Sequence, residues 1–256
     1  MKGGIWLRQI SNVCAALLCL IFIFAPVFTT TNAMDAEAII RKRDQNEYVN
    51  TAAADVEMVI TSGRRQMTKT MTSYAEGDNA LAVFTNPRDR GTKFLKRGDD
   101  LWMFFPDAED LIKISGHMLS QGMMGSDFSY QDIMESDKLL ELYEFELVGE
   151  EKIDGRLCYI LEGIAIPEQE VSYYRRRSWV DQERFVGLKE ELYARSGRLL
   201  KVLKVNELEQ FGERWYPTAS VMEDKLRKDT RTEFYVKSIE FNPDISEDTF
   251  TLENLR

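Results

Sequence analysis

The feature that most limits the fold of this chain is a two-residue period of apolar side chains in its first strand-like run. Val56, Met58 and Ile60 are apolar, and Glu57 between the first two is charged. This period is typical of a strand that buries one face against a core and exposes the other to water.

Similar short runs follow as far as Phe241, separated by residues that favour turns. The sequence predicts further strands at Met67–Tyr74, Leu81–Thr85, Lys93–Arg97, Leu101–Phe105, Tyr143–Gly149, Cys158–Ile166, Tyr173–Asp181, Val186–Tyr193, Leu199–Leu208, Trp215–Asp224 and Arg231–Phe241. Gly63-Arg64, Asn86-Pro87 and Asn242-Pro243 supply turn chemistry at strand ends. Hairpins that recur about every 8–12 residues favour one antiparallel sheet that curls, either closed or half-closed.

Helices are predicted to be few and short. Met34–Tyr48 has an apolar side at Ile39-Ile40 and a charged side opposite, which is the pattern of an amphipathic helix. Tyr130–Glu135 is predicted as a second helix with Ser129 as its N-cap. Ser246–Phe250 is predicted to form a single helical turn.

The run Leu101–Phe105 is apolar at nearly every position, including Trp102, Met103 and Phe104. A strand with two apolar faces is covered on both sides, by the core on one and by another layer on the other. The alternative is a helix that packs on the sheet.

Gly116–Asp137 interrupts the strand pattern. Glycines and serines break this segment, yet it carries the apolar residues Met118, Leu119, Met123, Met124 and Phe128. Most long connections are polar, whereas flexible apolar side chains adapt to an irregular hydrophobic surface. We therefore predict that Gly116–Phe128 is a movable apolar lid, in which Met123 and Met124 compete with bound cargo. The alternative is that these residues complete a static core.

The N-terminal 33 residues predict export. Lys2 and Arg8 precede the apolar stretch Val13–Phe28, and Thr31-Asn32-Ala33 ends the segment with small residues. This order is that of a secretory signal cleaved after Ala33, and the apolar stretch is shorter than the ~20 residues of a membrane span. The alternative is an uncleaved anchor. Residues 34–256 are then one soluble domain in the periplasm, expected to be a monomer.

Charge and cysteine content exclude several classes of function. The net charge of −10 repels nucleic acid, so a nucleic-acid partner is not expected. Only Cys158 follows the predicted signal, which leaves no intramolecular disulfide, and its neighbours indicate a small buried hydrophobe.

Catalytic and metal chemistry are also not expected. His117 is the only histidine, whereas zinc sites need several His or Cys ligands. The sequence has no Gly-x-Ser-x-Gly elbow and no phosphate-binding glycine loop. The sequence therefore predicts a non-enzymatic protein without a cofactor.

Several motifs resemble the outer-membrane lipoprotein-sorting protein family, a branch of the LolA/LolB superfamily of periplasmic lipoprotein carriers. They are Leu101-Trp102-Met103-Phe104-Phe105-Pro106, Met124-Gly125-Ser126-Asp127-Phe128-Ser129-Tyr130-Gln131-Asp132-Ile133, Trp179-Val180-Asp181, Glu190-Glu191-Leu192-Tyr193, Ser196-Gly197-Arg198-Leu199-Leu200-Lys201, and Asn242-Pro243-Asp244-Ile245 with Phe250-Thr251. The Gly-Ser-Asp-Phe-Ser-Tyr element is the most specific of them.

The resemblance implies a mainly β fold with a few helices. In it, a curved antiparallel sheet forms an unclosed half-barrel, and helices pack in its concave face. It also implies an apolar cavity for acyl chains between sheet and helices. The candidate lipid-binding residues are Met58, Ile60, Val83, Met103, Phe105, Met118, Leu119, Met123, Met124 and Phe128.

The leading functional hypothesis is a periplasmic carrier that takes lipid or lipoprotein acyl chains toward the outer membrane or a membrane transporter. Its expected partners are such acyl chains and an inner-membrane transporter or exporter, with transient membrane contact. Arg175 and Arg177 share one face of a predicted strand and are candidates for docking such a partner. The alternative for these arginines is a solvated face balanced by carboxylates.

Two rival functions come from other classes. A sensor or adaptor on the same fold would act through protein contacts, and a hydrolase would act on envelope lipids. The missing catalytic constellation disfavours the hydrolase.

Protein purified from an envelope fraction is expected to begin at Met34 and to carry no covalent lipid modification. Cys14 and Cys19 lie inside the apolar stretch, without the small residues that precede a lipidated cysteine. Intact-mass measurement checks both statements, and a retained N-terminus or an added diacylglycerol would contradict them.

Overall fold

The computed structural model describes residues 34–255. Thirteen strands within this range form one antiparallel sheet: β1 Thr51–Ser62, β2 Arg65–Glu76, β3 Asn79–Phe84, β4 Lys93–Arg97, β5 Asp100–Phe105, β6 Asp110–Ile114, β7 Tyr143–Ile153, β8 Arg156–Ala165, β9 Arg175–Asp181, β10 Gly187–Tyr193, β11 Leu199–Phe211, β12 Arg214–Asp224 and β13 Thr230–Phe241. The helices are α1 Ala36–Glu47, α2 Tyr130–Glu135, α3 Leu139–Leu142 and α4 Leu252–Leu255. Short 3-10 turns lie at Gly116–Met118, Met123–Gly125 and Glu247–Phe250.

The sheet is two meanders joined in the middle. Its strand order is β6-β5-β4-β3-β2-β1-β13-β12-β11-β10-β9-β8-β7, so the first strand pairs with the last one. The two edge strands, β6 and β7, do not pair with each other, and the sheet is not closed into a barrel. The predicted fold class, a mainly β unclosed half-barrel, is confirmed.

All the predicted strands are present, with small shifts at their ends. The sequence reasoning missed β6 because Leu111 and Ile112 are adjacent, which gives no two-residue period. It also missed α3, which is only a single turn long.

The sheet curves around α2. Tyr130 stacks on Phe94 of β4, with ring centroids 5.6 Å apart. Asp132, two residues later, accepts a hydrogen bond from Lys201 of β11 at 2.8 Å. In a flat sheet, β4 and β11 would be about 29 Å apart, since neighbouring strands are about 4.8 Å apart. One helical turn and its side chains reach both strands because the sheet bends around them.

The predicted helix near the start of the described range is α1. Asp35 caps it by accepting a hydrogen bond from the backbone N–H of Ala38 at 2.7 Å. Ile39 and Ile40 are fully buried against residues of β7, β8 and β9. Burial of this apolar side fixes the helix on the half of the sheet opposite to β1–β6.

The run Leu101–Phe105 is strand β5, so the helical alternative is wrong. Leu101 and Met103 face the inner core, whereas Phe104 packs on the outer face against Phe250 and Leu255. The C-terminal segment therefore forms the second layer that was predicted from the two apolar faces of Leu101–Phe105. The predicted helical turn in this segment is the 3-10 turn Glu247–Phe250.

The predicted signal segment, residues 1–33, lies outside the described residues. Within residues 34–255, none of the helices is both long and apolar enough to cross a membrane.

Phe250→Ala is expected to reduce the free energy of unfolding by about 3–5 kcal/mol, because this side chain fills the outer core and is only 5% exposed. Leu157→Ala is the matched control, since Leu157 is 42% exposed and should change stability by about 0.5 kcal/mol or less. Urea unfolding followed by circular dichroism measures both. Equal effects in the two variants would show that the C-terminal segment is not a structural layer.

Candidate functional site

The inner face of the sheet carries one apolar cluster that includes most of the predicted lipid-binding residues. Met58, Ile60, Met103, Phe105, Met118, Leu119, Met123 and Met124 all belong to it. Phe128 packs beside this cluster, with its ring 4.8 Å from that of Phe234. Nine of the ten candidates therefore lie together under one face of the half-barrel.

Val83 is the exception, because it lies on the outer face. Neighbouring Ala82 and Phe84 point into the inner cluster, and side chains alternate between faces along a strand. Val83 instead lines an outer cleft of about 350 Å³ between β1–β4 and the C-terminal segment. The sequence-based prediction chose an apolar residue on the right strand, but its side chain points to the outer face of the sheet and not to the inner one.

The segment Gly116–Phe128, called the strap below, closes the inner face. Met123 is buried in the apolar cluster, while Met118, Leu119 and Met124 are half-buried. The segment folds back on itself, since Met123 N–H donates to the Phe128 carbonyl at 2.7 Å. Its own apolar side chains thus occupy the surface that a ligand would need.

The turn at the centre of the strap requires glycine. A Cβ atom on Gly122 would lie 2.2 Å from the Ser126 carbonyl oxygen, which is too close for any side chain. Met124 adopts a left-handed φ of 51°, which is uncommon for a residue with a side chain. The turn is tight enough to reverse the chain within a few residues.

A buried carboxylate anchors the C-terminal end of the strap to the middle of the sheet. Asp127 is 3% exposed, and its backbone N–H donates to the Thr232 hydroxyl of β13 at 2.9 Å. That hydroxyl donates back to Asp127 Oδ2 at 2.8 Å, and Arg227 donates to Oδ1 at 2.7 Å. These bonds offset the desolvation of the carboxylate and fix the strap at this point.

The sequence reasoning missed this role of Asp127. It noted Gly-Ser-Asp-Phe-Ser-Tyr as the most specific element of the resemblance, but it gave the aspartate no contact. The available signal was a single carboxylate in a segment of apolar and small residues. Its partners, Thr232 on β13 and Arg227 on the β12–β13 turn, are about 100 residues away in sequence, so they could not be identified.

The predicted N-cap of α2 is confirmed and forms a capping box. Ser129 Oγ accepts from the backbone N–H of Asp132 at 3.1 Å, and Asp132 accepts from the backbone N–H of Ser129 at 2.6 Å. Asp132 also accepts from the Tyr173 hydroxyl at 2.7 Å. Together with the bond from Lys201, this contact fixes α2 against β11 and the loop that precedes β9.

A second buried carboxylate holds the far end of α2. Glu135 is 2% exposed and accepts hydrogen bonds from Ser172 N–H at 3.0 Å and from Gln131 at 2.9 Å. Burial raises the pKa of the Glu135 carboxyl above its usual range. The stretch Asp127–Glu135 is therefore held at both of its ends.

A cleft of about 420 Å³ lies beside the anchored end of the strap, between the β8–β9 loop and the β10–β11 turn. Its lining combines apolar residues such as Val171 and Leu200 with the polar residues Gln169 and Arg195. Leu200 belongs to the same apolar cluster as Phe128.

The predicted docking residues lie on the outer face of β9. Arg175 and Arg177 both donate to Glu162 at 2.8 Å, whereas Arg176 points to the opposite face and pairs with Glu190. The Arg175 guanidinium also lies 3.7 Å from the centre of the Tyr193 ring. The predicted alternation of the three arginines is correct, and the carboxylate balances part of their charge.

Cys158 is fully buried, and this burial raises the pKa of its thiol to about 11. It is the small buried hydrophobe that the sequence indicated. Between residues 34 and 255, the structure contains no group of three or more His, Cys, Asp or Glu that could hold a metal ion.

Comparisons with known proteins agree with this architecture. A family model described as "-like: Uncharacterized protein" matches residues 76–256. The uncharacterized protein MJ0687 of Methanocaldococcus jannaschii is 26% identical over 198 residues, which covers 69% of this chain and 50% of that protein. The chain thus spans about half the length of this relative.

Three solved structures are similar over most of the chain. A DUF1329 family protein from Desulfovibrio piger is 27% identical, with a TM-score of 0.79 over 85% of this chain and 96% of that one. An outer membrane lipoprotein-sorting protein domain from Vibrio parahaemolyticus is 27% identical, with a TM-score of 0.74 over 85% and 96%. The LolA superfamily protein NE2245 from Nitrosomonas europaea is 26% identical, with a TM-score of 0.72 over 87% and 100%. The resemblance inferred from the sequence is confirmed.

Thr232→Val is expected to reduce the free energy of unfolding by about 1–3 kcal/mol, because it removes the hydroxyl partner of a buried carboxylate and of a buried N–H. Thr218→Val is the matched control. Thr218 is also buried, but its hydroxyl has no hydrogen-bond partner among residues 34–255, so this change should be neutral or stabilising. Chemical denaturation measures both variants, and an equal loss of stability in the two would contradict the anchor.

Proposed function

Because the chain belongs to the uncharacterized protein family whose model matches residues 76–256, and because it folds like lipoprotein-sorting and LolA superfamily proteins, we propose that it is a periplasmic carrier of acyl chains. In this proposal the protein binds lipid or lipoprotein acyl chains on the inner face of the half-barrel. It delivers them toward the outer membrane or a membrane transporter without enzymatic chemistry.

The observation that carries this proposal is the convergence of the strap and the sheet on one apolar surface. Met58 and Ile60 from β1 face Met118 and Met123 from the strap within a single cluster. The strap is not a helix or strand of this core, and glycines occur on both sides of its methionines. A strap that moved before Asp127 would uncover a methionine-lined apolar surface, which adapts to chains of variable shape.

The energetics suit a carrier that must also release its cargo. Each buried methylene contributes on the order of 0.8 kcal/mol, so a long acyl chain would bind tightly to a fully open surface. Cargo must displace the strap side chains that occupy this surface, and their loss of contacts lowers the net affinity. The strap thereby allows both binding and release.

Delivery requires a membrane-bound partner. A carrier of this class would receive its cargo from an inner-membrane transporter or exporter. Arg175 and Arg177 remain candidates for contact with that partner, although both are paired with Glu162. A partner carboxylate would have to compete with this existing ion pair.

Organic-solvent extraction of freshly purified protein, followed by mass spectrometry, tests the proposal directly. A carrier is expected to release lipid or acyl species in stoichiometric amounts. Protein that binds no lipid after extraction and reloading would instead favour the rival sensor or adaptor, which acts through protein contacts on the same fold.

The double substitution Met118→Ser and Met124→Ser is expected to raise the affinity for a fluorescent fatty acid about tenfold and to slow its release, because it removes strap side chains that compete with the ligand for the inner face. Met123 is a poor probe, since it is buried and its loss would destabilise the fold. Both chosen methionines are half-buried, so the melting temperature should change little.

Val83→Ser is the matched control, because Val83 is also half-buried but lies on the outer face. It is expected to leave fatty-acid binding unchanged. If the two strap substitutions have no effect, or if the outer-face substitution changes binding equally, the inner face is not the ligand site.

A further inference from the structure

One end of the sheet carries a concentration of exposed cations in a chain whose net charge is −10. They lie on the β1–β2 turn, the β3–β4 loop and the β12–β13 turn. We call these residues the basic ridge: Arg64, Arg65, Arg88, Arg90, Lys225, Arg227, Lys228 and Arg231.

Two of the three turns are joined directly, and the third lies beside the neighbouring strand. Gly63 N–H donates to the Asp229 carbonyl at 2.8 Å, which joins the β1–β2 turn to the β12–β13 turn. Thr85 N–H donates to the Thr70 carbonyl at 2.8 Å, which holds the β3–β4 loop against β2. Across the sheet, from β4 to β12, the ridge spans about 24 Å, and its β3–β4 part is set back along β2, beside Thr70.

Most of these cations are available for an external partner. Those that make no ion pair with any residue in the described range are Arg64, Arg65, Arg88, Arg90 and Lys228. The nearby carboxylates are largely engaged, since Asp89 is held by Lys69 at 2.6 Å and Asp224 by Arg227 at 2.7 Å. Asp229 is the exposed carboxylate between the cations.

The rest of the protein cancels only part of this local charge, on the side of the β3–β4 loop. Charges in solution are screened over about 8 Å at physiological ionic strength, so distant carboxylates contribute little at the ridge. The acidic turn between β5 and β6, with Asp107 and Glu109, marks the limit of the ridge where Pro106 meets Gly91. The ridge is therefore a bounded basic surface.

An exposed leucine lies within the same surface. Leu226 is 49% exposed on the β12–β13 turn, between Lys225 and Arg227. A single exposed apolar residue is ordinary on a protein surface. Leu226, however, lies between cations at the tip of a turn. This combination suits the boundary of a bilayer, where headgroup phosphates lie beside acyl chains.

We propose that the basic ridge docks the protein on a membrane surface of anionic phospholipid, with Leu226 entering the headgroup region. Arginine and lysine side chains match phosphate oxygens, and the attraction amounts to about a five-fold gain in partitioning for each cation near the surface. This inference goes beyond the carriage of acyl chains, and it holds whether or not the inner face binds a ligand.

Docking at the ridge would also place the strap at the membrane. Arg227 belongs to the ridge and donates to the carboxylate of Asp127, which anchors the strap. A lipid phosphate that attracts Arg227 would compete with that carboxylate. Contact with the bilayer is thereby coupled to the end of the segment that covers the inner face.

Vesicle flotation tests the proposal with the purified protein. The probes are vesicles of phosphatidylcholine with and without phosphatidylglycerol. We expect binding only to the anionic vesicles, and we expect added salt to release the protein. The quadruple variant Arg64→Gln, Arg65→Gln, Arg88→Gln and Lys228→Gln should bind at least tenfold more weakly.

A control variant with the same change in net charge separates the effect of the ridge from the effect of the total charge of the chain. It replaces four exposed cations elsewhere with glutamine: Arg97, Lys152, Lys204 and Lys237. This control should bind as the unaltered protein does, and any lipid affinity of residues 1–33 is the same in both variants. Far-UV circular dichroism checks their folding, and the salt dependence of the unaltered protein provides a test that needs no variant.

Equal binding by the two variants would overturn the proposal, as would binding to both kinds of vesicle without salt dependence. Failure of the unaltered protein to bind anionic vesicles at low salt would also overturn it. Fatty-acid binding in solution is measured separately, so failure of the docking surface and failure of the acyl-chain site are distinguishable.

Discussion

The hydrogen bonds of Asp127 are the interaction on which the arrangement of the inner face depends. They join the segment without regular structure to β13, which lies at the junction of the two meanders. A carboxylate excluded from water is stable only when its oxygens are hydrogen-bonded. Thr232 and Arg227 supply these bonds. They thereby fix the direction of α2 and the position of the strap methionines.

Curvature of the sheet and burial of α2 depend on each other, because the sheet must bend for the helix to be buried. An open sheet has a natural right-handed twist, and it can bury a short helix only by bending around it. Tyr130 reaches one meander, while Asp132 reaches the other. The outer face then needs its own cover, which Phe250 and Leu255 provide on β3–β5. The edge strands remain apart because the helix and strap occupy the space between the meanders.

Charge is unevenly distributed over the surface, which the net charge of the chain does not show. The convex arginines of β9 are paired with Glu162, whereas most cations of the ridge make no ion pair among residues 34–255. Arg227 connects the ridge to the buried carboxylate of the strap. The proposed membrane surface and the proposed acyl-chain surface therefore meet at one residue.

Local patterns in the sequence determined every strand except β6, the capping of α2 and the two apolar faces of β5, because alternation and capping depend on residues close in the chain. The tertiary structure alone decided that Val83 faces outward and that Thr232 and Arg227 hold Asp127. It also decided which turns unite into the basic ridge. These facts depend on strand phase and on pairing of β1 with β13, which join residues far apart in sequence. No local pattern encodes such pairings, because they are selected by the packing of the whole sheet.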